Sequence, residues 1–226
     1  MPDTIDIFIP CRAGSKRIKN KNIRKIGPYK FGLVERKIEH LRSIPNTRIV
    51  LSTDDKKILS WADKLKIPNL ILDHRDSSLA SDFTLTDDLI RYSKTICKSD
   101  YILWTHVTSP FILTQSYIDA ISIFFEKKSQ GYDSLVTVEK IQKFLWTTDG
   151  PQNYNPTEKG FWPNTQDIDP LFEITSGIFL FDKESKSEFG RIGLTPYFHE
   201  LTKIENLDVD DIEDFILTEK LIGFGL

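Results

Sequence analysis

The stretch DIFIPCRAGSKRIKNKNIRKI, Asp6 to Ile26, decides how the chain is read. Ile5, Ile7 and Ile9, with Phe8 between, make an apolar run of buried-strand character that Pro10 closes. Small residues follow at Ala13, Gly14 and Ser15. Arg12, Lys16, Arg17, Lys19, Lys21, Arg24 and Lys25 then crowd behind the strand, with no acid until Glu35. Gly14 stands alone and Ile9 lies five residues before it, so neither a Gly-x-x-x-x-Gly-Lys loop nor a Gly-x-Gly-x-x-Gly turn is present. The small side chains still let backbone N–H groups approach an anion. Arg12 and Lys21 can supply fixed charge to phosphate oxygens. A solvated basic face is the plainer alternative.

The rest of the chain extends the pattern. LVERKIEHLRS (33–43) puts Leu33, Val34, Ile38 and Leu41 on one helical face. RIVLSTDD is a strand running into a polar loop where an Asp can cap the helix DKKILSWADKLKI. NLILDH, YILWTHVTSP and DSLVTVEKI read as strands, and TDDLIRYSKTIC and QSYIDAISIFFEKK as helices. Alternation of this kind predicts a doubly wound, mainly parallel sheet flanked by helices. Ligands in such sheets sit outside the carboxyl ends of the strands. CRAGSKR, STDD, DHRDSSLASD and THVTSP should therefore converge on one crevice.

After Ile141 the alternation stops. Residues 142–175 are rich in Pro, Gly, Asn and aromatics, and Phe144, Trp146, Phe161 and Trp162 need a surface to bury against. A partner subunit is a reasonable candidate. The chain re-enters the sheet at SGIFLFD and ends in an acidic turn and an amphipathic helix, NLDVDDIEDFILTEKLIGFGL. A single domain over 1–226 with an excursion at 142–175 is expected.

Near the end, Asp208 and Asp210 stand at i and i+2, so an extended backbone points both carboxylates to one side. That suits a hard cation such as Mg²⁺. Acids at a helix N-terminus are the alternative reading, and Asp211, Glu213 and Asp214 fit it. A lone histidine such as His106 serves a core as readily as a ligand site. No Gly-x-Ser-x-Gly elbow supports a hydrolase triad. The 226 residues carry a net charge of −3, which gives no support to nucleic-acid binding. The two cysteines, Cys11 and Cys97, form no CxxC pair. With no signal-like N-terminus and no run of membrane-spanning length, a cytoplasmic protein is expected.

Taken together, IPCRAGSKRIKNKNI, LSTDD, RDSSLASD, TSP, SGIFLF and LDVDDIEDF resemble, in order and spacing, the acylneuraminate cytidylyltransferases and related nonulosonate and Kdo-type enzymes. The resemblance spans nearly the whole chain. It implies transfer of CMP from CTP to an acidic 2-keto sugar, with Mg²⁺, in a homodimer joined through the excursion. Carried over by position, Arg12 and Lys21 hold the triphosphate, with Lys21 near the α-phosphate. Ala13, Gly14, Ser15 and Asn22 line the nucleotide, and Arg75, Thr84 and Thr86 contact the cytosine end. Asp208 and Asp210 hold the metal. His106, Thr108, Ser109, Gln166 and Ser176 fall to the acceptor. Lys16, Arg17, Lys19, Arg24 and Lys25 are left as a solvated rim. The chain departs from the family on the acceptor side: His106-Val107 replaces Gln-Pro, Ser176-Gly177 replaces Asn-Gly, and Asn164-Thr165-Gln166 stands where an arginine-rich stretch is usual. A different acceptor, such as a Kdo-like sugar or a phosphonate, and a non-catalytic nucleotide binder are the alternatives.

Overall fold

A computed structural model describes residues 4–81, 83–155 and 160–226. Asp82, the last residue of RDSSLASD, and 156–159 in the aperiodic stretch lie outside the described residues. The strands are β1 (Ile5–Pro10), β2 (Thr47–Thr53), β3 (Leu70–His74), β4 (Tyr101–Thr105), β5 (Ser134–Ile141), β6 (Trp146–Thr147), β7 (Gly150–Pro151), β8 (Leu171–Asp182) and β9 (Pro196–Glu200). The helices are α1 (Gly32–Leu41), α2 (Lys56–Lys64), α3 (Thr86–Ile96), α4 (Thr114–Lys128) and α5 (Ile212–Gly223).

One seven-stranded sheet runs in the order β3-β2-β1-β4-β8-β5-β9. β1 to β4 are mutually parallel, β8 runs antiparallel to β4 and β5, and β9 is parallel to β5. The chain winds outward from β1 to β3 and then returns to place β4 on the other side of β1. Strand order therefore reverses between β1 and β4, where a crevice must open at their carboxyl ends.

Strand alternation buries both sheet faces. Ile5, Ile7 and Ile9 join Leu33, Val34 and Ile38 of α1, Ile58 of α2, Tyr117 and Phe124 of α4, and Phe215 of α5. Phe8 points the other way, into a second cluster with Val50, Trp104, Val136, Phe179 and Phe181 beneath Ile90 of α3. Asp6 shares that second face. Its buried carboxylate accepts from Arg48 Nε at 2.8 Å, Lys98 N at 2.6 Å and Ser99 Oγ at 2.8 Å. Burial alone would raise its pKa, but the Ser99, Arg48 and Lys98 donors together hold it below the ordinary carboxylate value.

The helix starts follow side-chain chemistry. Asp55 accepts from Lys57 N at the head of α2. Asp211 accepts from the main-chain N–H of Glu213 and Asp214, while Asp214 accepts from those of Asp210 and Asp211, closing a capping box on α5. Among the described residues no helix is long and apolar enough to cross a membrane.

The aperiodic stretch is an arm. Asn153, 4% exposed, organises it by accepting from Leu145 N and donating to the carbonyls of Lys143 and Asp169. Phe144, Tyr154, Phe161 and Trp162 pack edge to face around it, and Trp146 Nε1 donates to Tyr154 Oη at 2.8 Å. The re-entering strand starts at Leu171, five residues ahead of SGIFLFD, because Leu171–Ile174 pair with Ile141–Val138 of β5. β9 carries no sequence signal: it is a five-residue edge strand that opens on a proline.

Candidate functional site

A cleft of about 510 Å³ opens where the strand order predicts, at the carboxyl ends of β1 and β4. The loop after β1 forms one wall. It is pegged at both ends: Cys11 N extends β1 by donating to Ser52 O, and Ile18, 2% exposed, anchors in the core. Gly14 takes φ 75 between the pegs, a left-handed turn that glycine adopts without strain. Asn20 is also left-handed, at φ 57, and its carbonyl caps the 3-10 turn Lys21–Ile23. These turns put Arg12, Ser15, Lys16, Arg17, Lys21 and Asn22 along the cleft.

The facing wall comes from the segment before α5. Val209 is fully buried and its N–H donates to Thr108 O at 2.8 Å, so the extended backbone turns the neighbouring Asp208 and Asp210 toward the cleft. Lys21 crosses between the walls: its Nζ donates to Val209 O at 2.6 Å. Burial lowers the Lys21 pKa, against the opposing pull of Asp210 and Asp208. Arg17 reaches Asp210 at 3.5 Å, but both side chains are mostly exposed, so the pair adds little stability. Ser109 sits beneath the floor, 3% exposed. Its Oγ lies 3.2 Å from Ser176 O and 3.4 Å from Asp208 Oδ1, linking β8 to the aspartate segment. Gly177 beside it has no space for a side chain: a Cβ would stand 2.6 Å from Thr137 Oγ1 and 2.8 Å from Ile112 Cδ1.

Of the residues expected here, Arg12, Ser15, Lys21, Asn22, His106, Thr108, Ser176, Asp208 and Asp210 line the cleft together. The others lie around or away from it. Ala13 N donates to Asp54 Oδ1 at 2.8 Å, so that N–H is already engaged. Arg75 is 2% exposed, and its Nε and one Nη find no hydrogen-bond partner among the described residues. Burial lowers its pKa, opposed by Asp54, Cys11 and Asp73. Thr84 folds into a local turn, donating to Ser78 O at 2.9 Å and touching Ser81 Oγ; Arg12 Nη1 reaches Ser81 O at 3.4 Å. Thr86 begins α3, exposed to solvent. Gln166 lies on the arm, exposed, where its carbonyl accepts from Gln142.

Two residues read as rim belong to the cleft wall, Lys16 and Arg17. Their place between Gly14 and Asn22 was the available signal. Arg24 lies instead over the Phe215 ring at 4.9 Å, tying the loop to α5. Sequence reasoning also passed over Lys37. It is 1% exposed and donates to Ser109 O at 2.7 Å and Tyr117 Oη at 2.6 Å, directly under the floor.

The donor set tests a metal. Asp208 and Asp210 offer hard oxygens from one wall, and Ser109 orients the first. No group of three or more His, Cys, Asp or Glu able to cage an ion occurs among the described residues. Two carboxylates facing an open cleft fit Mg²⁺, which takes its remaining ligands from phosphate oxygens and water.

Comparison with known proteins places the chain in a family. A family model described as cytidylyltransferase matches residues 7–215. A pseudaminic acid cytidylyltransferase of Campylobacter jejuni subsp. jejuni is 28% identical over 183 residues, covering 77% of this chain and 76% of its own. A CMP-N,N'-diacetyllegionaminic acid synthase of Legionella pneumophila is 27% identical over 229 residues, covering 95% and 94%. The solved structure of a CMP:2-keto-3-deoxy-manno-octonic acid synthetase complexed with CTP superposes with a TM-score of 0.65 over 99% of this chain and 100% of that one. Its 14% identity makes that a likeness of fold.

Proposed function

The chain belongs to the cytidylyltransferase family and is a CTP-dependent nucleotidyltransferase, and from that premise we propose that it transfers CMP from CTP to the anomeric hydroxyl of an acidic 2-keto sugar of the nonulosonate class, with Mg²⁺. The observation that carries the reading is the single cleft that gathers Arg12, Lys16, Arg17 and Lys21 against Asp208 and Asp210. The relatives named for pseudaminic and legionaminic acids support the acceptor class.

The acceptor hydroxyl gives up its proton to water as its oxygen attacks the α-phosphorus in line, the α–β phosphoanhydride bond breaks, and pyrophosphate leaves. Negative charge moves onto the departing and equatorial oxygens, so cations fixed beforehand favour the transition state over the ground state. Lys21 suits this role because the Val209 carbonyl aims its ammonium and burial strips competing water from it. Arg12, Lys16 and Arg17 bind and orient the triphosphate. Mg²⁺ held by Asp208 and Asp210 supplies charge neutralisation to phosphate oxygens when bound. His106 is poorly suited as the base: its Nε2 lone pair already accepts from Trp104 Nε1 at 2.7 Å, and burial first, then Arg191, Lys37 and Lys21, push its pKa down to about 3.

The arm supports a homodimer. Trp146 and Trp162 remain 52% and 63% exposed although they sit in an aromatic cluster, which is the composition of an interface core. Pyrophosphate release with CTP, UTP, ATP and GTP, against acidic and neutral acceptors with and without Mg²⁺, tests the whole reading. Release with CTP and an acidic 2-keto sugar is expected. Release only with a phosphonate or a neutral sugar sinks the acceptor assignment, and metal-independent release sinks the role of the aspartate pair.

A further inference from the structure

Behind the acceptor end of the cleft lies a cation that neither the family resemblance nor the cleft itself identifies. Arg191 comes from the long connection between β8 and β9. Its guanidinium lies 3.7 Å above the centroid of Phe179 and 5.0 Å from that of Trp104. Those two rings are direct cross-strand partners on β8 and β4, so the sheet presents them side by side as a platform. No carboxylate forms an ion pair with Arg191 among the described residues. Burial lowers its pKa to about 10. The two ring faces hold the half-buried cation in place, and without a carboxylate of its own its charge is left for an incoming anion.

His106 connects Arg191 to the cleft. It follows Trp104 by two residues and lines the cleft. Its Nε2 accepts from Trp104 Nε1 at 2.7 Å, and Arg191 Nη1 lies 3.4 Å from the same nitrogen. Trp104 Nε1 and the guanidinium can only donate. Two donors converging on Nε2 require its lone pair to face them, so the ring proton sits on Nδ1. The imidazole is thereby a neutral donor with a positive charge behind it.

We propose that Arg191 is a positioning and specificity residue: with Trp104 it fixes His106 as the neutral Nδ1–H tautomer, and it supplies the positive potential that selects an acceptor bearing a carboxylate. This rests on the acidic-sugar reading above. It also accounts for the departure at His106, since a histidine backed by Arg191 replaces the acceptor-side residue that the family's usual pattern provides.

The test uses pseudaminic acid, N,N'-diacetyllegionaminic acid and 2-keto-3-deoxy-manno-octonic acid, each as free acid and as C1 methyl ester, with CTP. Wild type should prefer the acid. Arg191→Met should raise KM for the acid about 10- to 100-fold, the range of a charge-assisted contact, while KM for CTP stays put and the ester changes little. Arg191→Lys, which keeps the charge, should retain much of the preference. ¹⁵N NMR of the His106 ring should report an unprotonated Nε2 in wild type and a mixed tautomer only in the Trp104→Phe, Arg191→Met double variant, which lacks both donors; the acid-over-ester preference of Arg191→Lys serves if the Met variants do not fold. Equal losses for acid and ester, or an Nε2-protonated ring in wild type, overturn the inference alone. Wild type that turns over none of the acids overturns the acidic-sugar reading and this inference with it.

Discussion

Lys37 gives the sharpest physical test of how the cleft floor is built. Its ammonium is sealed in the core, donating to Ser109 O and Tyr117 Oη, with Tyr117 Oη also 2.7 Å from Thr105 Oγ1. Burial, then Arg36, pushes its pKa from 10.5 down to about 7, only partly offset by Asp208. Between those two values the unfolded chain binds a proton that the folded chain does not. Stability therefore rises with pH through this window, by about 1.4 kcal/mol per unit once well above the folded pKa. From pH 7 to 8.5 the gain should be about 2 kcal/mol. Other groups touch the upper end of this interval, Lys21 with the same sign because burial lowers its pKa, so the difference between wild type and a Lys37 variant is the quantity to read. The Cys11 and Cys97 thiols are pushed up to about 12 by burial and act above pH 9 with the opposite sign. His40 and His106 are pushed down to about 4 and about 3, so their effects lie below 6.5. Urea unfolding of wild type and Lys37→Met at pH 7.0, 7.5, 8.0 and 8.5 isolates the contribution. Wild type should gain the stated amount relative to the variant, which keeps every other titrating group. At pH 7 the variant loses two hydrogen bonds, each contributing about 1 kcal/mol net, but it is relieved of a buried cation. Parallel profiles for the two proteins would falsify the assignment of a proton-poor Lys37.

Three further outcomes are expected. Lys21→Ala should lower kcat by about 10²- to 10³-fold, the usual loss for one transition-state donor, with a smaller effect on CTP binding measured by calorimetry; a pure KM effect makes Lys21 a ground-state anchor. Asp210→Asn should abolish Mg²⁺-dependent pyrophosphate release with an unchanged thermal midpoint, and normal turnover removes it from the metal site. Below pH 6.5 the unfolded chain protonates His40 and His106 while the folded chain does not, so stability should fall by about 1.4 kcal/mol per pH unit for each toward pH 4.5. His199, whose pKa burial also lowers, adds to the total, so His40→Gln should remove His40's own share, about 1.4 kcal/mol per pH unit, in the same unfolding assay.

Much of the fold was legible because its signals are local. Ile5, Ile7 and Ile9 against Phe8 announce a strand buried on both faces, and Asp55 and Asp211 mark helix starts by chemistry that acts within three residues. The doubly wound, mainly parallel class followed from alternation and handedness, whereas the antiparallel insertion of β8 between β4 and β5 did not. What stayed hidden depends on distant partners. β9 is a strand only because β5 has an open edge to offer. Arg191 reads as one more basic loop residue until β4 and β8 pair and set Trp104 beside Phe179. Lys37 reads as the polar face of α1, yet it is buried because α1 lies over the floor of the cleft, where Ser109 O and Tyr117 Oη await a donor.

The same distinction sorts the cations of the opening stretch. Their number is legible in the sequence; their division of labour is set by the wall opposite. Lys21 is fixed by a carbonyl 188 residues later, while Arg17 reaches, mostly exposed, toward the aspartate next to that carbonyl. Arg24 turns away to Phe215. CTP brings about four negative charges to one strand end of a chain whose net charge is itself negative. Such a site needs cations in excess of those that touch phosphate, and acids placed so that they do not cancel them. Val209, fully buried, seats Asp208 and Asp210 on the far wall; Asp210 still meets Arg17 at 3.5 Å, but both side chains are mostly exposed, so the contact is weak and yields readily to phosphate or a metal. Arg191 extends the same logic to the acceptor: a second anion, bound apart from the triphosphate, has a second cation behind His106.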